Sequence, residues 1–471
     1  MSLAGDLRAA GQGHLADALE RLEGEARERL RAQLEALDLA LVARLVDGLV
    51  RGDADQAAPE AIEPPEGVVP IPRDEAARAA EREACAAGEE LLRAGRVAAV
   101  LLAGGQGTRL GFEGPKGAFP FAPITGRILF DHHAAKIAAL RRRHGAALPL
   151  YVLTSPQNDA ETRTIFARHG HFGLAPESVR FVVQGTLPAV DRESGAILRE
   201  APDRLALSPD GHGGLLPALR AAGALEQMRA EGVTTIFTFQ VDNPLLRVCR
   251  PEFLGHHARA GAEMSTIVVR KRAPEEKMGV IARVGGRTAM VEYSDLPDEL
   301  AARRDERGEL VFWAGSIAVH AIEVDLVERL TEGGTRLPFH RAVKRVPHVD
   351  DADRPVDPPE PNAVKFETFL FDALPHAERT LTLEAAREDE FSPIKNAEGP
   401  DSPATARRDL NRMCARWLER CGVSVPRGDD GEPVDIEIDP RRALDADELA
   451  AALPPGFRVE GPTALGPPDG A

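Results

Sequence analysis

Cysteine is scarce in this chain of 471 residues, at Cys85, Cys249, Cys414 and Cys421. The four form no C-x-x-C pair and none stands at zinc-ligand spacing from a histidine. Free thiols in a reducing cytosol are expected, rather than a disulfide framework or a structural zinc. Long hydrophobic runs are missing as well. Nothing approaches the roughly eighteen apolar residues of a membrane span, and MSLAGDLRAAGQGHLADALERL has no apolar signal core. A soluble, cytoplasmic protein is expected. Positive charge is short: 58 Lys and Arg against 75 Asp and Glu leave a net charge of −17. That argues against nucleic acid or an anionic membrane as a partner. An anionic substrate then has to be met by a local cluster of cations.

Hydrophobic residues make up 43% of the chain and charged residues 28%, a globular composition with ample core for two or three domains. Residues 3–51 carry helical periodicity without proline, with Glu23–Arg27 and Glu25–Arg29 at i,i+4 spacing. The Pro- and acid-rich stretch 52–74 reads as a linker, followed by a helix over 74–94. Beyond it, apolar runs at 97–102, 149–155, 180–185, 234–243 and 265–270 alternate with helical stretches such as 130–143 and 216–230. This alternation predicts an α/β fold with a mainly parallel sheet covered on both faces. A helix over 404–421 and short apolar pieces after it predict a small C-terminal lobe, ending in a frayed tail from 462. The expected division is 1–94 as an N-terminal helical region with linker, 95–390 as the α/β domain, and 391–471 as a small C-terminal domain.

The segment LLAGGQGTRLGFEGPKGAFPF (101–121) joins a buried strand to a glycine-rich turn followed by Arg109 and Lys116. Glycines bring backbone N–H groups close to a ligand, and such a run backed by two cations suits the phosphates of a nucleotide. The spacing is neither that of a Walker loop nor G-x-G-x-x-G. Ligands of such sheets sit beyond the carboxyl ends of the strands. The glycine loop, Gln184 after RFVV and Asp242 after TFQV all fall there, and are expected to converge on one crevice. Asp242 is a natural Mg²⁺ ligand; the bland alternative is that Asp242 or Asn243 caps the next turn. SPDGHGG (208–214) offers a second backbone approach, or a plain turn. Glu292 and Tyr293 in EYSDL, and Lys365 and Lys395, mean little in isolation.

Together, LLAGGQGTRLG with PKG, VQGTLPA, PDGHGG, VDNPL, VEYSDL, KFETFLFD and REDEFSPIKN resemble, in order, the UDP-N-acetylhexosamine pyrophosphorylases. These belong to the UTP-dependent sugar-1-phosphate uridylyltransferases, and the resemblance spans about residues 8 to 450. It implies a mixed, mostly parallel, Rossmann-like (GT-A-like) nucleotidyltransferase sheet over 95–390. It further implies that Ala103, Gly104 and Gly105 lie on the nucleotide, and that Arg109 and Lys116 hold the triphosphate and departing pyrophosphate. Gln184 and Gly211 would contact uracil, Asp242 the phosphates and a Mg²⁺ cofactor. Lys365 would reach the nucleotide phosphates and Lys395 the sugar-linked phosphate, with His212, Glu292, Tyr293 and Trp313 on the sugar side. The implied partners are UTP and a sugar 1-phosphate, with the protein a monomer or weak homo-oligomer.

The implied reaction needs no nucleophilic triad. A sugar-1-phosphate oxygen attacks the α-phosphorus of UTP in line; its second pKa of roughly 6 leaves it ionised near neutrality. The protein supplies alignment and positive charge. The chain departs from the hexosamine-using members at Trp313, where they carry asparagine, and at His212, where asparagine is common. N-acetylglucosamine 1-phosphate is the expected sugar; glucose or galactose 1-phosphate, which Trp313 raises, or a broad-specificity UDP-sugar pyrophosphorylase, is the alternative. A catalytically idle UDP-sugar-binding regulator and an NAD- or ATP-binding α/β protein are the readings of other classes.

Overall fold

The computed structural model describes residues 2–52 and 61–467. Residues 53–60 of the expected linker and 468–471 of the expected tail lie outside the described residues. Packing divides the chain into two compact units: Met1–Glu60 with Gln184–Leu216 and Arg336–Asp372, and Ala61–Val183 with Pro217–Thr335 and Ala373–Ala471. The grouping differs from boundaries at 94/95 and 390/391. Each unit is assembled from segments distant in sequence.

The larger unit is built on a mixed sheet. Eight of its eleven strands form one continuous path; in chain order they are β1 (Val68–Val69), β2 (Val97–Leu102), β3 (Leu150–Thr154), β4 (Val179–Val183), β5 (Thr235–Gln240), β6 (Met264–Arg270), β7 (Ala314–Glu323) and β8 (Thr380–Glu384). They lie in the order β1-β8-β6-β7-β5-β2-β3-β4, and all neighbours are parallel except around β7, which runs against both β6 and β5. β2 and β3 are buried throughout, as expected of continuous apolar runs in a sheet covered on both faces. Strand β2 has β3 on one side and β5 on the other. The chain therefore leaves β2 and β5 at a topological switch point, where α/β sheets open a crevice.

Helix Leu129–His144 is largely buried, His132, His133 and Lys136 included. Helices Glu75–Arg93 and Pro251–Ala260 cross at Gly88 and Gly255: a Cβ on Gly255 would lie 1.6 Å from Ala84 O, and one on Gly88 1.8 Å from Pro251 O. The helix expected over 216–230 is two, Leu215–Ala221 and Ala224–Ala230, because Gly223 adopts φ +66° between them.

In the smaller unit, residues 3–51 form four helices, Leu3–Ala9, Gly13–Arg21, Gly24–Glu35 and Leu39–Leu49. Their apolar faces bury Leu7, Leu15, Leu30 and Val46 against Val190, Ile197, Val364 and Phe366. Gln12, between the first two helices, donates to Gly195 O (3.2 Å) and accepts from Ile197 N (2.8 Å). Arg29 does not serve the local i,i+4 pair expected of it; its guanidinium lies 2.7 Å from Asp203. The local pair it forgoes is worth only a few tenths of a kcal/mol on an exposed helix, so a tertiary partner readily replaces it.

Candidate active site

The loop after β2 is held from below. Ala103 N still donates to Leu153 O (2.9 Å), and Asn158, fully buried after β3, donates through Nδ2 to Ala103 O (2.9 Å) and Gly105 O (3.3 Å). Its Oδ1 accepts from Ser155 N (2.8 Å), which fixes the amide's orientation. Lys116 N donates to Gly105 O (3.1 Å) and Gly107 N to Gly114 O (2.9 Å), so the PKG segment folds back on the glycines. A Cβ on Gly105 would meet nothing within 4 Å, and its φ is not in the left-handed region. Neither the protein's packing nor its backbone demands glycine there. The space beside its Cα is open.

Lys116 and Asp242 meet at the switch point. Gln240, the last residue of β5, pairs in register with Leu102, the last of β2. Two residues on, Asp242 Oδ2 accepts from Lys116 Nζ at 2.9 Å, with side-chain exposures of 13% and 9%. Burial pushes the Asp242 carboxyl up, but the charges of Lys116 and Lys395, the Lys116 hydrogen bond and the charge of Arg109 outweigh it and hold it below the usual range. Three cations thus act on one carboxylate within an acidic protein. Arg109 is exposed in the turn Thr108–Leu110. Lys395 is partly exposed, 3.9 Å from Asp401 Oδ2 and 5.6 Å from the Phe391 ring centroid.

On the metal, Asp242 is a single carboxylate already engaged by a lysine. Among the described residues no group of three or more His, Cys, Asp or Glu is placed to hold an ion. This donor set does not fit a resident metal cage. It does fit a hard divalent cation that brings phosphate and water as its other ligands.

Tyr293 is 49% exposed and Glu292 half-buried, just past strand Arg287–Val291. Trp313 precedes β7. Because β7 is antiparallel, with Ala314 opposite Arg270, the indole lies at the carboxyl end of β6. It is half-buried, under the Arg270 guanidinium at 4.4 Å, and Arg270 is in turn held by Glu384 at 2.8 Å.

The smaller unit carries Gln184, Gly211, His212 and Lys365. Gln184 is buried. Gly211 has φ +86°, and a Cβ on it would lie 2.3 Å from Thr368 O. His212 Nδ1 accepts from Leu370 N (3.0 Å), so Nε2 bears the proton, and burial lowers its pKa to about 4. The ring packs beside Phe369 and Phe371. Lys365 is half-buried on strand Ala363–Thr368. Asp210 was not anticipated. Burial raises its pKa to about 6, and Oδ1 lacks a hydrogen-bond partner among the described residues.

A cation-lined strand-end site at the switch point of a mixed sheet is the arrangement of an α/β nucleotide-binding enzyme. A family model described as UTP–glucose-1-phosphate uridylyltransferase matches residues 51–400. UDP-N-acetylhexosamine pyrophosphorylase-like protein 1 of Homo sapiens is 37% identical over 435 residues, covering 88% of this chain and 85% of that protein. UDP-N-acetylglucosamine pyrophosphorylase of Saccharomyces cerevisiae is 36% identical over 357 residues, with 74% and 75% covered. The solved structure of uridine diphosphate N-acetylglucosamine pyrophosphorylase from Trypanosoma brucei with an inhibitor superposes with a TM-score of 0.80 at 27% identity, covering 96% of this chain and 95% of that one. The chain belongs to the UTP–glucose-1-phosphate uridylyltransferase family and is a nucleotidyltransferase.

Proposed function

We propose that the protein joins UTP to N-acetylglucosamine 1-phosphate, releasing pyrophosphate, with Arg109, Lys116 and Lys395 as its charge-stabilising residues. An ionised oxygen of the sugar 1-phosphate attacks the α-phosphorus of UTP. The bond from that phosphorus to the α,β-bridging oxygen breaks, and pyrophosphate leaves with the electron pair. The observation that carries this reading is the Lys116–Asp242 pair at the switch point, with Arg109 and Lys395 acting on the same carboxylate. Asp242 orients the Lys116 ammonium before substrate arrives, so the charge needed in the transition state is preorganised.

Arg109 and Lys116 take the β,γ-phosphates and Lys395 the sugar-linked phosphate. The backbone of Ala103, Gly104 and Gly105, with Gln184, Gly211 and Lys365, serves the nucleotide. Glu292, Tyr293, His212 and Trp313 serve the sugar. A magnesium ion would enter with the nucleotide, with Asp242 as its protein carboxylate, and would spread the charge of the phosphates. The four free cysteines suit a cytoplasmic enzyme, acting as a monomer or weak homo-oligomer.

The names of the relatives support an N-acetylated sugar. The indole at 313, pinned beneath Arg270, favours glucose or galactose 1-phosphate as a second reading. Pyrophosphate release from UTP should be measured with N-acetylglucosamine, N-acetylgalactosamine, glucose and galactose 1-phosphates. The first is expected to give the highest kcat/KM. Inactivity with both N-acetylated sugars sinks the substrate assignment, and inactivity with all four sinks the catalytic one.

A further inference from the structure

Asn243, in VDNPL, is a capping candidate by sequence, yet its side chain faces elsewhere. It is buried, and its carboxamide meets the backbone of a segment some 150 positions along the chain. Nδ2 donates to Glu390 O (2.7 Å) and Oδ1 accepts from Ser392 N (3.2 Å). One residue earlier, Asp242 O accepts from Ile394 N (2.8 Å). A single amide side chain and one carbonyl thus tie the turn after β5 to residues 390–394 through a short ladder of three hydrogen bonds outside any strand. The Glu390 carboxylate, 1% exposed, locks the same junction from the other side. Its Oε2 accepts from Arg247 N (3.0 Å) and its Oε1 from Arg250 Nη1 (3.0 Å). Lys395 is the next residue after this ladder.

We propose that Asn243 is a positioning residue. By fixing residues 390–394 to the Asp242 strand end, it sets where the Lys395 ammonium stands relative to Asp242. Lysine is a compact charge on a flexible stem; the Lys395 backbone N–H donates to Asp401 O (2.6 Å), but the ammonium's own contacts are loose, 3.9 Å to Asp401 Oδ2 and 5.6 Å to the Phe391 ring. The ladder supplies the fixity that the side chain lacks. Displacement of a charge by about 1 Å can cost about 100-fold in rate. The inference rests on the role of Lys395 proposed above.

The test is a double-mutant cycle on the full chain, reading kcat, KM and melting temperature for Asn243→Ala, Lys395→Ala and the pair. Asn243→Ala is expected to lower kcat about 100-fold with KM for UTP within about threefold. Lys395→Ala is expected to lower it about 100- to 1,000-fold. The double variant should be no slower than Lys395→Ala alone, because Asn243 acts only through that lysine. If the two losses multiply, the positioning role is overturned while the Lys395 assignment stands. If Lys395→Ala leaves kcat unchanged, the Lys395 assignment itself fails and the inference falls with it. Should Asn243→Ala not fold, Asn243→Asp keeps the acceptor for Ser392 N–H and loses the donor to Glu390 O. Its loss of about tenfold in kcat is expected to vanish in the Lys395→Ala background, and persistence there overturns the proposal.

Discussion

At the scale of single residues, Lys116 and Gly105 separate charge from space. The Lys116 ammonium is nearly buried and bonded to Asp242, so its position is fixed by the protein. Lys116→Ala is expected to raise the barrier by about 3 kcal/mol, read as kcat/KM for UTP, as for removal of a preorganised donor. A loss below tenfold would leave that charge without its assigned part. Gly105→Ala makes the opposite prediction. The new methyl group meets nothing in the protein, so melting temperature should hold within about 1 °C, since an unstrained surface change stays within about ±0.5 kcal/mol. KM for UTP should nevertheless rise about tenfold or more, a change of about 1.4 kcal/mol. An unchanged KM would mean that the nucleotide does not approach Gly105. At Trp313, replacement by asparagine removes the surface on which Arg270 stacks. It is expected to raise the preference for N-acetylglucosamine over glucose 1-phosphate in a competition assay.

At the scale of elements, the sequence read well wherever periodicity and local chemistry decided the outcome. Runs at 97–102, 149–155 and 234–243 became β2, β3 and β5 because continuous apolar stretches bounded by turn residues have few other homes. Lys116 and Asp242 were legible as motif residues; their 2.9 Å pairing follows from β2 and β5 being neighbours. Asn158 and Asn243 were not legible in those roles. Their partners lie 55 and 147 positions away, and an asparagine beside a strand end has the same local signature as a turn cap. The crossing of helices Glu75–Arg93 and Pro251–Ala260 was equally invisible, since Gly88 and Gly255 read as weak points in their own helices. The structure makes them the contact. Gly255→Ala should therefore destabilise the protein by about 1–3 kcal/mol, the usual cost of overpacking, although alanine is the better helix former. A denaturation midpoint equal to or above wild type would show that the helices separate at no cost.

At the scale of the molecule, the floor beneath the active-site loop makes the larger unit sensitive to pH. His133 Nε2 bonds Val241 O (3.0 Å) and His132 Nε2 bonds Pro244 O (2.9 Å), while Lys136 Nζ bonds Pro244 O (2.6 Å) and Leu246 O (2.7 Å). Burial, followed by the charge of Lys136, lowers the His133 pKa to about 3 and holds His132 well below its usual value. Burial lowers Lys136 itself to about 7. Each group binds protons more readily when unfolded. The histidines' contribution is therefore present above about pH 6.5 and lost as pH falls below it, for His133 toward about 3. His133 costs roughly 1 kcal/mol per pH unit in that window, and His132 acts in the same direction. Lys136 adds the same sign between about pH 7 and 10.5, where only the unfolded chain stays protonated. Glu390, its carboxyl held above the usual range mainly by burial, works in the opposite direction near its own titration but is one group against two histidines. Both tryptophans, Trp313 and Trp417, lie in the larger unit, so their fluorescence reports its unfolding alone. The urea midpoint by tryptophan fluorescence should rise steadily from pH 4.5 to pH 9. His133→Gln, whose amide can still donate to Val241 O, should make the limb below pH 6.5 shallower, with His132 remaining, and leave the Lys136 limb intact. A midpoint that is flat across this range would mean that these buried groups are not neutral in the native protein.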